Sequence, residues 1–194
     1  EPDISMLDAV NRDSNALKVR WHPGTRHAYS NPGYGILGHI IEKISGQSFE
    51  SYVNQNILPQ LGMTNSSFVA PPEVLSKLSK GYSDNVEVPY RNIYLRAAGS
   101  LHTNARDLAL LGQYLLSYGQ SASLPGINLQ TIQMMEQPSS SLAAEAGLKT
   151  GYGLGLYHAT RGDHRDWIGH NGGIDGFTTS FGYSRELNKG YAML

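Results

Sequence analysis

The order of the hydrophobic patterns along this chain constrains its fold more than any other feature. Apolar residues recur at helical spacing only within residues 1–140, whereas residues 141–194 carry short apolar or alternating runs separated by Gly, Asp and Asn. The first pattern is typical of amphipathic helices, and the second of antiparallel strands and hairpins. Because helices come first and strands follow, without a repeating βαβ alternation, the sequence predicts an α+β fold in a single domain.

The clearest predicted helix begins at Pro32, after which apolar residues follow one another at three- and four-residue spacing through Ile44. Asn31 is a suitable N-cap for this helix, and Gly46 is expected to end it. A long Pro- and Ser-rich segment that follows Phe68 is expected to be irregular. The other predicted helices are Met6–Asn11, one capped by Ser48 that continues to about Ile57, Thr103–Tyr118 and Asn128–Gln137.

The start of the predicted helix at Pro32 also matches a dinucleotide-binding pattern, G-x-G-x-x-G, at Gly33, Gly35 and Gly38. In dinucleotide-binding proteins this pattern follows a buried strand, and the residues before Gly33, His-Pro-Gly-Thr-Arg-His-Ala-Tyr-Ser-Asn-Pro, do not form one. Gly35 and Gly38 are better explained as close-packing positions of a buried helix. No nucleotide cofactor is therefore predicted.

Tyr29 and Asn31 place a phenol and an amide two residues apart, just before this helix. Pro32 disfavours the α region at Asn31, and in an extended segment residues i and i+2 project the same way. A tyrosine hydroxyl can act as a general base if nearby cations lower its pKa, and an amide can donate to a carbonyl and accept from a lysine. The alternative is that Tyr29 packs and Asn31 only caps the helix.

A second cluster follows a predicted strand, where His170 is expected at the strand end and Asn171, Gly172 and Gly173 come next. Two glycines allow a substrate to lie against the strand backbone, since no Cβ stands in the way. A free main-chain N–H at this place could form one arm of an oxyanion hole. The alternative is a glycine-rich hairpin with an incidental histidine.

Together these stretches resemble the penicillin-binding-protein-like serine hydrolases, which include class C β-lactamases, D,D-peptidases, D-aminopeptidases and related esterases. The resemblance covers about Trp21 to Phe181, and its motifs stand in the family's order. It implies a β-lactamase/transpeptidase-like fold that needs no metal or cofactor. The stretches that carry it are PGTRHAYSNPGYGILGHIIEKISGQSF, LPQLGMTNSSF, AAGSLHTNARDLALLGQYL, GYGLGL and GHNGGIDGF.

The resemblance also implies roles for individual residues. Tyr29 and Asn31 match the Tyr-x-Asn motif, in which the phenol handles protons and the amide orients the acyl side chain. His170, Asn171 and Gly172 match the third motif, which is Lys-Thr-Gly in class C lactamases and His-x-Gly in many peptidases and esterases. The N–H of Gly173 would bind the oxyanion, and Asn171 and Gly172 would contact the substrate.

The same resemblance implies a small-molecule or peptide acyl substrate, for which a β-lactam and a D-amino-acid peptide are the two candidates. Because position 170 is His and not Lys, a peptidase or esterase is favoured over a lactamase. The resemblance further implies export, for instance to the periplasm. A net charge of −1 and a pI near 6.7 give no electrostatic footprint for nucleic acid, and no apolar run reaches membrane-spanning length.

The family's nucleophile is the serine of Ser-x-x-Lys, and none of the lysines of this chain has a serine three residues before it. The chain opens without Met and closes on Gly-Tyr-Ala-Met-Leu, an apolar run typical of a buried strand. We therefore expect a partial domain, incomplete at both ends, whose nucleophile lies upstream. The rival hypothesis is a binding or regulatory homologue that keeps the cleft and lacks the nucleophile.

Three other patterns are weaker. The tripeptides Ser83-Asp84-Asn85 and Lys149-Thr150-Gly151 match motifs of class A β-lactamases, but neither stands in the expected structural context. A metal site is suggested by the proximity in sequence of Asp163, His164, Asp166 and His170. Their spacing matches no common metal signature, so no metal is predicted.

Overall fold

A computed structural model describes residues 4–12, 14–160, 162 and 165–194 of the chain. Its helices are α1 (Met6–Asn11), α2 (Asn31–Ser45), α3 (Phe49–Asn56), α4 (Pro72–Leu75), α5 (Arg96–Gly99), α6 (Ala105–Leu116), α7 (Leu129–Glu136) and α8 (Leu142–Glu145), with a 3₁₀ helix at Ser14–Leu17. Its strands are β1 (Gly81–Ser83), β2 (Val86–Val88), β3 (Gly151–Tyr152), β4 (Tyr157–Thr160), β5 (Asp166–Ile174), β6 (Phe177–Ser184) and β7 (Lys189–Met193). The α+β prediction is confirmed.

Each predicted helix is present, and the ends marked by Ser48 and Gly46 are accurate. Ser48 accepts a hydrogen bond from the N–H of Ser51 at the start of α3, and Gly46 ends α2 in the left-handed region, with φ of 68°. The expectation of an irregular segment after Phe68 is wrong in detail. It contains α4, α5 and the β1–β2 hairpin, which are too short to produce a measurable periodicity.

Strands β3 to β7 form one antiparallel sheet in chain order. The β5–β6 pair is the longest, with register from Ile168 opposite Tyr183 to Ile174 opposite Phe177. Strand β4 pairs with β5 only as far as Gly169. Within the described part of the chain, the second half of β5 is therefore paired on one side only, which leaves main-chain groups accessible along its other edge.

The main core lies between helix α6 and the sheet. Leu115, Ile132, Ile168 and Tyr183 are among its buried members. The last strand does not fit the expectation of a buried apolar run, because 60% of the Met193 surface is exposed. Strand β7 pairs only with β6 among the described strands.

Arg185 ties the sheet to two helices. Its guanidinium donates to the carbonyls of Leu115 (3.0 Å) and Leu116 (2.8 Å) at the end of α6, and forms an ion pair with the buried Glu136 of α7. The Tyr183 hydroxyl donates to the same carboxylate over 2.6 Å. Burial and this hydrogen bond raise the pKa of Tyr183, so the phenol keeps its proton. The network fixes β6 onto the helical part of the molecule.

The glycines of α2 are packing positions, as predicted. Gly35 and Gly38 are buried, and a Cβ at Gly35 would approach Val10 Cγ2 to 2.7 Å. A Cβ at Gly38 would approach Ala97 Cβ to the same 2.7 Å. Both glycines lie inside the helix, not in a loop before it, so the dinucleotide pattern carries no phosphate site.

Candidate functional site

Ser30, not Asn31, caps helix α2. Its backbone is extended (φ −143°, ψ 99°), and its hydroxyl accepts a hydrogen bond from the N–H of Gly33 over 3.1 Å. The prediction that Asn31 is the cap is wrong. The prediction that its backbone is extended is also wrong, because Asn31 is already the first residue of the helix. Pro32 follows without conflict, since the first turn of a helix needs no donor from it. The Asn31 side chain is exposed and is not used to begin the helix.

Tyr29 and His170 lie next to each other although they belong to distant parts of the sequence. Their ring centroids are 6.0 Å apart, and Tyr29 comes from the loop before α2 whereas His170 comes from β5. Tyr157 of β4 lies 5.1 Å from the His170 ring, and Tyr152 of β3 lies 6.0 Å from the Tyr29 ring. The tyrosine of the Tyr-x-Asn motif and the histidine of the His-x-Gly motif thus meet in one aromatic cluster.

A cavity of about 360 Å³ opens beside this pair. Tyr29 lines it from the loop, and Trp167 lines it from β5. The predicted site residues Tyr29, His170 and Asn171 therefore border one shared space. The other lining residues are Tyr157, Ala159, Ile168, Gly169, Phe181 and Gly182.

His170 is not at the end of its strand, contrary to the prediction. Strand β5 continues for four more residues to Ile174 and turns through Asp175 and Gly176 into β6. Gly residues disfavour strands by propensity, but the pairing with β6 overrides that preference. The predicted site residues 170–173 therefore lie on the half of β5 that pairs, among the described strands, with β6 alone.

Gly172 and Gly173 have different surroundings. A Cβ at Gly172 would lie 2.4 Å from Thr179 Oγ1, whereas a Cβ at Gly173 would have no heavy atom within 4 Å. Gly172 is therefore required by the packing of β5 on β6, and the space beside Gly173 is open. Asn171, between His170 and these glycines, accepts a hydrogen bond from the Ser180 hydroxyl over 2.8 Å.

Sequence reasoning missed two tyrosines near the histidine. Tyr152 contacts its side chain directly, and Tyr34 contacts Tyr152. The Tyr152 hydroxyl lies 3.0 Å from His170 Nε2, and the Tyr34 hydroxyl lies 3.3 Å from that of Tyr152. Tyr152 stands in the Gly-Tyr-Gly-Leu-Gly-Leu stretch that carried part of the resemblance. Only the pairing of β3 with β4 and of β4 with β5 brings it to the histidine.

The described residues around Tyr29 do not activate it as a base. Burial raises the pKa of Tyr29, and the neighbouring Tyr157 and Tyr34 raise it further. Proton abstraction by this phenol needs the opposite shift, which an adjacent cation would supply. The lysine of a Ser-x-x-Lys motif would be such a cation.

The two tripeptides of the class A type have structural explanations. Asp84 (φ 50°) and Asn85 (φ 64°) form the two-residue turn between β1 and β2, for which left-handed Asp and Asn are suited. Lys149 lines a separate cavity of about 420 Å³ together with His158, and none of the predicted site residues lines it. Neither the turn nor this second cavity includes Tyr29 or His170.

Two of the four residues in the metal hypothesis, Asp163 and His164, lie outside the described residues. Asp166 accepts a hydrogen bond from the Thr160 hydroxyl over 2.7 Å, which is the main cause of its lowered pKa. Asp166 and His170 stand four residues apart on one strand, roughly 13 Å at the usual rise, too far to share an ion. In the described ranges no group of three or more metal-ligating side chains occurs.

None of the helices in the part of the chain that the structure describes combines the length and apolar character needed to cross a bilayer.

The family model described as Beta-lactamase matches residues 5–194. A human (Homo sapiens) protein named for its likeness to β-lactamases is 28% identical over 177 residues, which cover 89% of this chain and 34% of that protein. The octameric penicillin-binding protein homologue from Pyrococcus abyssi superimposes with a TM-score of 0.76 at 31% identity, over 96% of this chain and 42% of that one.

A D-alanine carboxypeptidase from Burkholderia cenocepacia superimposes with a TM-score of 0.73 over 97% of this chain and 65% of that one. Its identity of 19% shows the shared fold alone. The chain thus spans 34% to 65% of the length of these three proteins.

Proposed function

The chain belongs to the beta-lactamase family, and we propose that it forms part of a serine acyl hydrolase that works through an acyl-enzyme. The β-lactamase/transpeptidase-like fold and hydrolase relatives are the ground for this proposal. The observation that carries it is the 6.0 Å approach of Tyr29 to His170 beside one cavity. The chain would be a single partial domain, in which residues 1–140 supply the Tyr-x-Asn loop and residues 141–194 the substrate-binding strand.

The reaction would begin with a serine of a Ser-x-x-Lys motif upstream of this chain. Its hydroxyl oxygen attacks the carbonyl carbon of the substrate, and its proton passes to Tyr29, which is a phenolate stabilised by the adjacent lysine cation. The carbonyl oxygen becomes an oxyanion, which accepts a hydrogen bond from the Gly173 N–H. As the intermediate collapses, the proton moves from Tyr29 to the leaving group, and the acyl group remains on the serine.

Water then releases the acyl group by the same steps in reverse. Tyr29, again the phenolate beside the lysine, takes a proton from the water as its oxygen attacks the ester carbon, and the serine oxygen leaves with that proton. The products are a carboxylic acid and the free serine. No electron transfer or cofactor is involved in this sequence.

The remaining site residues would bind the substrate. The exposed amide of Asn31 would orient the acyl side chain, since capping of α2 is left to Ser30. His170 would help to place the polar end of the substrate or stabilise charge through its ring, and Asn171 and Gly172 would border it. The open space beside Gly173 supports the approach of a carbonyl to the strand backbone.

The proposed substrates are small acyl compounds or peptides, including β-lactams and peptides that contain D-amino acids. A histidine at the position of the lactamase lysine favours a peptidase or esterase. An exported, periplasmic location is proposed on the same family ground.

The test is covalent labelling of the full-length protein, this chain together with its upstream segment. A fluorescent fluorophosphonate or penicillin is expected to label the protein, and changing the upstream serine to alanine should abolish the label. Correctly folded protein that takes neither label would favour the rival function, a binding or regulatory homologue without a nucleophile.

A further inference from the structure

A chain of hydroxyl groups leads from helix α2 to the histidine of β5. The Tyr34 hydroxyl lies 3.3 Å from the Tyr152 hydroxyl, which in turn lies 3.0 Å from His170 Nε2. The three residues come from α2, β3 and β5. Tyr152 is 9% exposed, so its hydroxyl has little access to solvent and depends on these two partners.

The other ring nitrogen of His170 identifies which atoms carry the protons. His170 Nδ1 lies 2.5 Å from the main-chain oxygen of Asn171, and a carbonyl oxygen can only accept a hydrogen bond. Nδ1 must therefore carry a hydrogen. In the neutral ring Nε2 is then the acceptor, and the Tyr152 hydroxyl is its donor.

Tyr152 is suited to this role over a wide pH range. Burial raises the pKa of Tyr152 far above its ordinary value. The phenol therefore keeps its only hydrogen. Because that hydrogen is given to His170, the Tyr152 oxygen is left to accept the hydroxyl hydrogen of Tyr34.

We propose that Tyr152 is a positioning residue that holds His170 as the neutral Nδ1–H tautomer, and that Tyr34 orients the Tyr152 hydroxyl. Both ring nitrogens of the histidine are then used within the protein, and the Tyr29 ring lies 6.0 Å away, centroid to centroid. His170 therefore does not take a proton from substrate through either nitrogen. The tautomer follows from the contacts of the histidine alone, and only the statement about substrate rests on the proposed function.

The tautomer can be measured without substrate or nucleophile, so the result is independent of the labelling test. The full-length protein, labelled with nitrogen-15, is studied by long-range proton–nitrogen correlation NMR at alkaline pH. The signals of His170 are identified by their loss in His170→Gln. We expect Nδ1 of His170 to carry the hydrogen and Nε2 to be unprotonated, and a protonated Nε2 in the unaltered protein would overturn the proposal.

The variant Tyr152→Phe keeps the ring and removes the donor. Loss of one hydrogen bond of ordinary strength is expected to shift the His170 tautomer ratio toward Nε2–H by roughly 3- to 10-fold. The matched control is Tyr157→Phe, because Tyr157 packs 5.1 Å from the same ring and should leave the ratio unchanged. An unchanged ratio in folded Tyr152→Phe, or an equal shift in the control, would refute the role of Tyr152.

Discussion

The ring of Tyr29 lies 6.0 Å from that of His170, and the two side chains border the same cavity. One belongs to a loop that a serine cap fixes at the start of a helix, and the other to the strand at the centre of a five-stranded antiparallel sheet. His170 is held by a regular strand and Tyr29 lies directly before a capped helix, so both side chains are positioned by regular secondary structure, as precise chemistry requires.

The first prediction concerns proton transfer by Tyr29. In the full-length protein, Tyr29→Phe is expected to lower the rate of turnover by roughly 100-fold or more, the usual contribution of a general acid–base group. Turnover of an acyl substrate measures it. Tyr94→Phe is the control, because this half-exposed ring lies beneath Arg12 and is not among the residues that line the cavity beside Tyr29. A loss smaller than about threefold would remove Tyr29 from proton transfer.

The second prediction separates capping from substrate binding at two neighbouring residues. Ser30→Ala removes the acceptor for the Gly33 N–H, so we expect the free energy of unfolding to fall by about 1 kcal/mol. Asn31→Ala should leave the unfolding free energy nearly unchanged and weaken turnover of the acyl substrate. Urea unfolding and kinetics on the same two variants measure both effects. Equal destabilisation by the two changes would contradict the assignment of the cap to Ser30.

The third prediction uses the two adjacent glycines of β5. Gly172→Ala places a methyl group against Thr179 Oγ1, so we expect a loss of stability of about 1 kcal/mol. Thr179→Ala in the same protein should restore part of it. Gly173→Ala meets no neighbouring atom, and should preserve stability while slowing acylation, because the methyl group occupies the space beside the strand backbone. Unaltered acylation by Gly173→Ala would argue against substrate at that edge.

The fourth prediction concerns alkaline pH. Burial raises the pKa of Tyr183 above its ordinary value of 10.0, so above about pH 10 the unfolded chain releases a proton that the folded chain retains. The stabilising effect is therefore complete below this pH and is lost as the pH rises further, by about 1.4 kcal/mol per unit for one such group. Tyr183→Phe should reduce this slope, as measured by unfolding at a series of pH values. An identical slope in the variant would show that Tyr183 does not contribute.

A structural feature of this protein can be predicted from the sequence when it depends on residues that are close to one another along the chain. Helix α2 and its end at Gly46 follow from residues within a few positions of one another, as does the cap of α3 at Ser48. The cap of α2 was misplaced by one residue, because Ser30 and Asn31 are both suitable and only the backbone dihedral angles distinguish them.

The contacts around the histidine depend instead on strand register. Tyr152 stands opposite Tyr157, and Tyr157 opposite Gly169, and these two pairings bring the Tyr152 hydroxyl to the neighbouring His170. A shift of one residue in either pairing would turn that side chain to the other face of the sheet. Register depends on the pairing of separate strands with one another, so no short stretch of the sequence contains it.

The sequence by itself therefore determined the α+β order, the family motifs and the identity of the residues that could do chemistry. Only the tertiary structure decided that Tyr29 meets His170, that Gly173 rather than Gly172 has open space beside it, and that Tyr152 is the hydrogen-bond partner of the histidine. Caps and periodicity arise from interactions between residues a few positions apart. A site that joins a helix to three strands arises from contacts between distant segments, which form only when the core packs.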